Sequence, residues 1–319
     1  MAFSYAFRLA LMISLFEFLA VYFDILAARW LAFTSLAICT PYVDRDIEKA
    51  KMRIKGALAG IFIFTAITLI TDDYWILTGI MLILNYIYTL YDPLRYDLKM
   101  MFTNISALIT AVLVLPEFGT GLEDAATRLI CILAGTVIVI ICNRIIFPYH
   151  IHTENIRLGE RSLVLTDDLI RDLSETASGK GDEVGSACAV LSADLISEKI
   201  RANVFQCPDD DMEMFIHHQS EVVTRCAFYR NSMNKLSDND GRLVSAISNI
   251  VRIYGSGKTD IPSDAEEAFG DLDSLGYECA KGILETVRMY RKSVSDLERY
   301  KTKIEEGYRP KQILYAEMH

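Results

Sequence analysis

Two kinds of charged residue stand inside the most apolar part of this 319-residue chain. Glu17 lies near the middle of an apolar stretch at residues 6–27, and Asp24 follows it seven residues on, on nearly the same face of a helix. A charge placed in hydrocarbon costs ~2.5–3.5 kcal/mol on insertion scales, so such a residue needs a reason to be there. Two readings of Glu17 stand side by side. It is a proton carrier in an antiporter, or it pairs with a cation on another helix and fixes packing. Arg53 and Arg128 are the second kind, and each opens an apolar helix after a charged loop. A guanidinium binds a carboxylate bidentately, and helix N-termini add positive potential, so this pair suits an anion path. Taken alone, either arginine reads more simply as snorkelling to lipid headgroups. Arg8 and Arg144, near the cytoplasmic edge, are secondary candidates for the same path. Asn85, in the middle of residues 74–91, suits a hydrogen bond across helices or a place on the path. Tyr86, Tyr88 and Tyr91 beyond it read as packing or interface belt.

The elements that must position these residues follow from the apolar pattern. Six stretches occupy residues 6–27, 30–43, 54–70, 74–91, 100–116 and 129–148. Charge-free cores of 14 to 18 residues in the second to fifth are shorter than the ~20 residues of a comfortable span, and snorkelling flanks extend them. The third to sixth lack the polar stripe of a surface helix, and six such helices leave no soluble surface. They read as six membrane spans. Glu17 and Asp24 make the first a retained span and not a cleaved signal.

Charge divides the chain in two. Residues 1–148 hold 11 Lys and Arg against 12 Asp and Glu, whereas residues 149–319 hold 21 against 30. The mean hydropathy of +0.24 averages over these two parts. The net charge of −10, with no basic stripe, argues against a nucleic-acid partner. The expected domains are therefore a six-span domain at 1–148 and a helical domain at 149–319. Arg45, Lys49, Lys51, Arg53 and Lys55 make the second loop basic, and Arg95 and Lys99 the fourth. Positive loops face the cytoplasm, so both termini and the second domain are expected there, at the plasma (inner) membrane. None of the seven cysteines forms a C-x-x-C pair, and no metal or cofactor is expected.

The chain also repeats itself at an offset of 75 residues. Pro41, Glu48, Ala50, Arg53, Leu58, Ala59, Gly60 and Ile63 align without a gap on Pro116, Glu123, Ala125, Arg128, Leu133, Ala134, Gly135 and Ile138. A good turn and helix start explains the Pro and Glu but not the Leu-Ala-Gly match. A unit of three spans reverses its direction in the second copy, which gives a 3+3 inverted repeat of the kind found in transporters.

Trp30, Pro41, Arg53, Gly56 and Gly60 together resemble the fusaric acid resistance and aromatic acid exporter superfamily: a Trp-led span ending in Pro, then Arg-x2-Gly-x3-Gly. Pro116, Arg128 and Gly135 are similar to a degenerate second version, with Cys131 where the first glycine would stand. Gly56 and Gly60 share a helix face and permit close packing. The resemblance implies a transporter exporting small organic, chiefly aromatic, carboxylates. Many relatives carry two six-span blocks, so one block implies a homodimer. The plant malate channels share this half-sized layout, which keeps a dimeric anion channel open. A non-transporting scaffold or sensor is the third reading.

Residues 149–319 show helical spacing at 158–177, 184–204, 212–236 and 242–254. A last long helix is expected from the capping box Pro262-Ser263-Asp264-Ala265-Glu266. Its near-heptad stripe (Leu272, Leu275, Cys279, Ile283, Val287, Tyr290, Val294, Leu297, Ile304) predicts packing in a bundle or across a dimer. Gly255-Ser256-Gly257-Lys258-Thr259 resembles the end of a phosphate loop but lacks its first glycine, and reads as an interhelical loop. His150, His152, His217 and His218 read as surface histidines, and Asp209-Asp210-Asp211 as a helix N-terminus. No nucleophile and base are arranged for an enzyme.

Overall fold

A computed structural model describes residues 2–23, 28–71, 73–90, 96–114, 121–236, 241–254, 269, 272 and 274–308. Among these the chain forms eleven α-helices and one short 3-10 turn at Val43–Arg45. The described residues fall into two compact units, one running to Ile151 and one starting at His152.

The first unit contains α1 (Ala2–Tyr22), α2 (Ala28–Ile38), α3 (Asp46–Ile70), α4 (Tyr74–Leu90), α5 (Tyr96–Val114) and α6 (Gly121–Ile145). Each expected apolar stretch thus yields one helix. Three segments among the described residues are long and apolar enough to cross a membrane: Phe3–Tyr22, Asp46–Ile70 and Ala126–Ile145. At ~1.5 Å per residue the 11 residues of α2 reach ~16 Å, about half of a ~30 Å hydrocarbon core. Pro41 is the reason. It cannot donate to a helix, and it disfavours helical backbone in the residue before it. Of the basic second loop, Arg45 ends the 3-10 turn, and Lys49, Lys51, Arg53 and Lys55 lie in the first turns of α3. Asp46 and Glu48 in its opening turn favour starting the helix there.

α3 and α6 each have 25 residues, and their bounds differ by 75 at both ends. The same shift carries α2 onto the second half of α5. In the packing, α3 lies along α5 and α2 along α6, with α1 against α2 and α4 against α5. Two cores result. Met12, Phe16, Ile38 and Val139 join α1, α2 and α6, while Phe64, Leu77, Ile105 and Ile109 join α3, α4 and α5. Each core therefore takes two consecutive helices from one three-helix half of the unit and its third helix from the other half. Gly56 and Gly60 make this possible on α3: a Cβ on Gly56 would stand 2.8 Å from Met100 Cβ, and one on Gly60 2.9 Å from the Met101 carbonyl. On α6, a Cβ on Gly135 would stand 3.0 Å from Thr34 Cγ2 of α2. Large apolar side chains cover the outside of the unit, among them Phe18, Phe62, Leu69, Trp75 and Ile130. A membrane surface requires this and water penalises it.

The second unit comprises α7 (Ile151–Ala177), α8 (Glu183–Gln206), α9 (Asp210–Leu236), α10 (Gly241–Tyr254) and α11 (Ser274–Glu305). Four of these match the helices read from the sequence to within a turn or two. The capping box at 262–266 and the Gly255–Thr259 segment lie outside the described residues. The α11 stripe packs along α9, so most of it is buried within the chain, while Leu275 points outward. The expected acidic N-terminus forms: Asp209 Oδ1 accepts the amides of Asp211 at 3.0 Å and Met212 at 3.2 Å. The histidines divide. His152 is buried, and His218 Nδ1 lies 2.7 Å from the buried Asp296. These two are packed groups, not the surface histidines expected.

Candidate functional site

Arg53 and Arg128 are each the eighth residue of their helix, α3 and α6, and both are buried. α5 runs between them. Arg53 Nη1 lies 3.2 Å from Met100 Sδ, and Arg128 Nε donates to Asn104 Oδ1 at 3.1 Å. Asn104 is oriented from behind, because its Nδ2 donates to the Met100 carbonyl at 2.9 Å. Gly56 and Gly60 bring α5 close enough for Met100 and Asn104 to reach. From α2, Trp30 lays its ring against the Arg128 guanidinium, 4.0 Å from centroid to Cζ. This contact is worth ~0.5–2 kcal/mol. Tyr96, at the start of α5, donates to the Ala37 carbonyl at 2.9 Å and lies beside Arg53.

The arrangement leaves two cations incompletely satisfied. Arg53 Nε and Arg128 Nη1 are buried with no hydrogen-bond partner, and no carboxylate among the described residues pairs with either. The two guanidiniums lie within electrostatic reach of each other. A buried donor without a partner costs ~1–3 kcal/mol, and more when charged. Snorkelling does not account for this pair, since snorkelling carries the head group out to water.

The other sequence candidates lie elsewhere. Arg8 is fully buried and closes the end of α2, donating to the carbonyls of Thr40 at 3.2 Å and Pro41 at 3.0 Å. It joins a network not foreseen from the sequence, centred on the buried Asp46. Asp46 Oδ1 accepts from the Thr40 amide at 3.1 Å and hydroxyl at 2.8 Å, and Oδ2 accepts from Asn143 Nδ2 at 2.6 Å. Three segments are pinned together there: the end of α2, the start of α3 and the end of α6. Glu17 is half-buried on α1. Asn85 is on an exposed face of α4 and accepts from Ser106 Oγ at 3.1 Å. Asp24 and Pro116 lie outside the described residues. Asn104, Asp46 and Asn143 were missed as candidates. The available signal was the same as for Glu17, a polar side chain inside an apolar run.

Long apolar helices with a lipid-type exterior and a polar interior define an integral membrane protein. Residues 9–142 match the model of the fusaric acid resistance protein-like family. No curated protein matches the chain with significance.

Proposed function

We propose that the chain exports small organic carboxylates, with aromatic acids as the preferred class, and that Arg53 and Arg128 hold the carboxylate. One observation carries this reading. Two buried guanidiniums at repeat-matched positions each keep an unpaired N–H, with no acid among the described residues paired to either. A carboxylate supplies the missing acceptors and the missing charge together. Trp30 beside Arg128 offers flat, apolar surface to a ring. The matched bounds of α3 and α6 and the exchanged packing of the two triplets support a 3+3 inverted repeat, an architecture that places a site between its halves. Proton coupling falls to Glu17, the intramembrane acid on α1. The proposed setting is the plasma membrane, with a homodimer and cytoplasmic termini.

Purified protein in proteoliposomes, loaded with a panel of aromatic and aliphatic carboxylates, tests the reading. Flux should be carrier-like, saturable and lost in Arg53→Ala and Arg128→Ala, and Glu17→Gln should uncouple it from a pH gradient. Discrete single-channel currents under voltage clamp would replace the carrier with an anion channel. Absence of any carboxylate flux above empty vesicles would leave a scaffold.

A further inference from the structure

One helix of the second unit turns its apolar face outward. Along α8, Val184, Leu191, Leu195 and Phe205 are 74%, 62%, 64% and 60% exposed, and Cys188 and Ala202 are exposed with them. With Glu198 these positions alternate steps of four and three, which is the spacing of a coiled-coil seam. The opposite side of the helix, through Ser186, Ala193 and Ile200, is buried in the unit. A helix at a protein surface ordinarily shows the reverse pattern. The heptad stripe of α11 is already covered by α9, so α8 carries the unmatched seam.

We propose that the α8 seam is where a second copy of this chain docks, helix to helix and in parallel. Charge selects the occupant and the direction. Taking Cys188, Leu195 and Ala202 as a positions and Val184, Leu191, Glu198 and Phe205 as d positions, Asp194 is at g and Lys199 at the following e. In a parallel pair these two positions face each other across the seam. Asp194 of one copy meets Lys199 of the other, and two-fold symmetry repeats the pair. Lys199 donates to Glu154 at 2.7 Å and keeps 41% of its side chain exposed, so it can serve both acids. An antiparallel pair that sets Leu191 against Leu195 instead brings Asp194 towards its own twin. Glu198 lies in the seam and meets its counterpart there, with Arg201 3.0 Å away on its own helix to offset the charge. A membrane surface is a poor occupant, because interfacial helices flank their apolar face with Lys and Arg. Here Glu198 stands inside the apolar face and Asp194 beside it, and the two flanking cations, Lys199 and Arg201, are already held by Glu154 and Glu198. This proposal gives the dimer of the proposed function its face, and rests on no claim about transport.

The parallel arrangement places the two Cys188 thiols in one layer. Mild copper-phenanthroline oxidation of the full chain in nanodiscs should give a covalent dimer that Cys188→Ser abolishes. Leu191→Asp with Leu195→Asp should raise the dimer dissociation constant at least ~100-fold, read by light scattering in detergent. Both leucines are exposed, so helicity by circular dichroism should stay at the wild-type level. Asp194→Lys should weaken the dimer at low salt and less so at high salt. A dimer unchanged by the double substitution, a monomeric wild-type chain, or absence of a Cys188-dependent cross-link overturns the proposal. Unchanged carboxylate flux with a lost dimer would leave it standing.

Discussion

Replacing Arg128 by Met separates a binding arginine from a structural one. Methionine keeps much of the volume and removes the charge. The loss side has two parts. The bond to Asn104 is charge-assisted and worth ~1.5–3 kcal/mol, and the Trp30 contact adds ~0.5–2 kcal/mol. The gain side is the relief of a buried, unpaired cation, ~2.5–3.5 kcal/mol on insertion scales, together with lost repulsion from Arg53. These nearly cancel, so thermal unfolding of the ligand-free variant should fall within ~2 kcal/mol of wild type. Ligand binding should not cancel. Truncating one side of a buried charge pair costs ~2–5 kcal/mol, which at ~1.4 kcal/mol per tenfold weakens the carboxylate complex ~30- to 3,000-fold. The assay is a thermal-shift titration in detergent with an aromatic carboxylate. Wild type should gain ~2.7 kcal/mol at a ligand concentration of 100 Kd, and the variant no more than ~0.9 kcal/mol at that concentration. A variant that loses more than ~4 kcal/mol without ligand, yet keeps the ligand-induced shift, would refute the reasoning. Arg128 would then be a packing group.

Three other outcomes follow from the same structure. Gly60→Leu should push α5 off α3 and lower stability by ~1–3 kcal/mol, whereas Gly79→Leu, where a Cβ meets nothing within 4 Å, should change little; detergent-resistant folding on a gel compares them. Asn143→Ala strips Asp46 Oδ2 of its donor and should cost ~1–3 kcal/mol in thermal unfolding. Burial pushes the Cys226 thiol up to about 12 from its ordinary value of 9.0, so iodoacetamide at pH 8 should label Cys188 first and Cys226 only after unfolding. The unfolded thiol ionises near 9 and the folded one does not. Stability is therefore fully present below pH 9 and declines from there to about pH 12, and Cys226→Ala should flatten that part of the curve.

The helices were largely legible because the driving pattern is local. The six apolar stretches, the four helices from residue 151 to 254 and the repeat around Arg53 and Arg128 all depend on neighbours within a few turns. The helix bounds at 46 and 121 were not, because the basic residues from Lys49 to Lys55 read as loop charge when they lie in the first turns of α3. The site was half legible. Arg53 and Arg128 stood out by their matched positions. Asn104 and Trp30 did not, since their role depends on α5 and α2 crossing to the other triplet, and no periodicity within one helix reports that. The contacts of Arg8 were hidden for a related reason: its guanidinium turns to the carbonyls that Pro41 leaves open at the end of α2, which only the tertiary course of the chain reveals.

The asymmetry around the two arginines bears on how such a site could work. Arg53 and Arg128 are equivalent in the repeat, yet their surroundings differ. Arg128 has Trp30 and Asn104, whereas Arg53 has the weaker acceptor Met100 and the Tyr96 hydroxyl. The first copy alone carries Asp46, for the matching position in the second is Gly121. An inverted repeat of identical halves would hold both arginines alike, with nothing to distinguish one side of the membrane from the other. Here the halves are held unequally. The Asp46 network pins α3 to α6 and to the end of α2, with no counterpart at the start of α6 among the described residues. Under the proposed function, the opposite-facing state exchanges the roles, with Arg53 taking the better-formed contacts and Arg128 the poorer. α5 is the element that must slide, because Met100 and Asn104 serve both arginines and sit one helical turn apart. Locking α5 to α3 with a disulfide between Gly60→Cys and Asn104→Cys should then trap one state. With the reduced double variant as the reference, since it lacks the Asn104 bond to Arg128, cross-linking should stop transport without further weakening carboxylate binding, and reduction should restore that variant's own flux; flux undiminished in the fully cross-linked protein would place the moving element elsewhere.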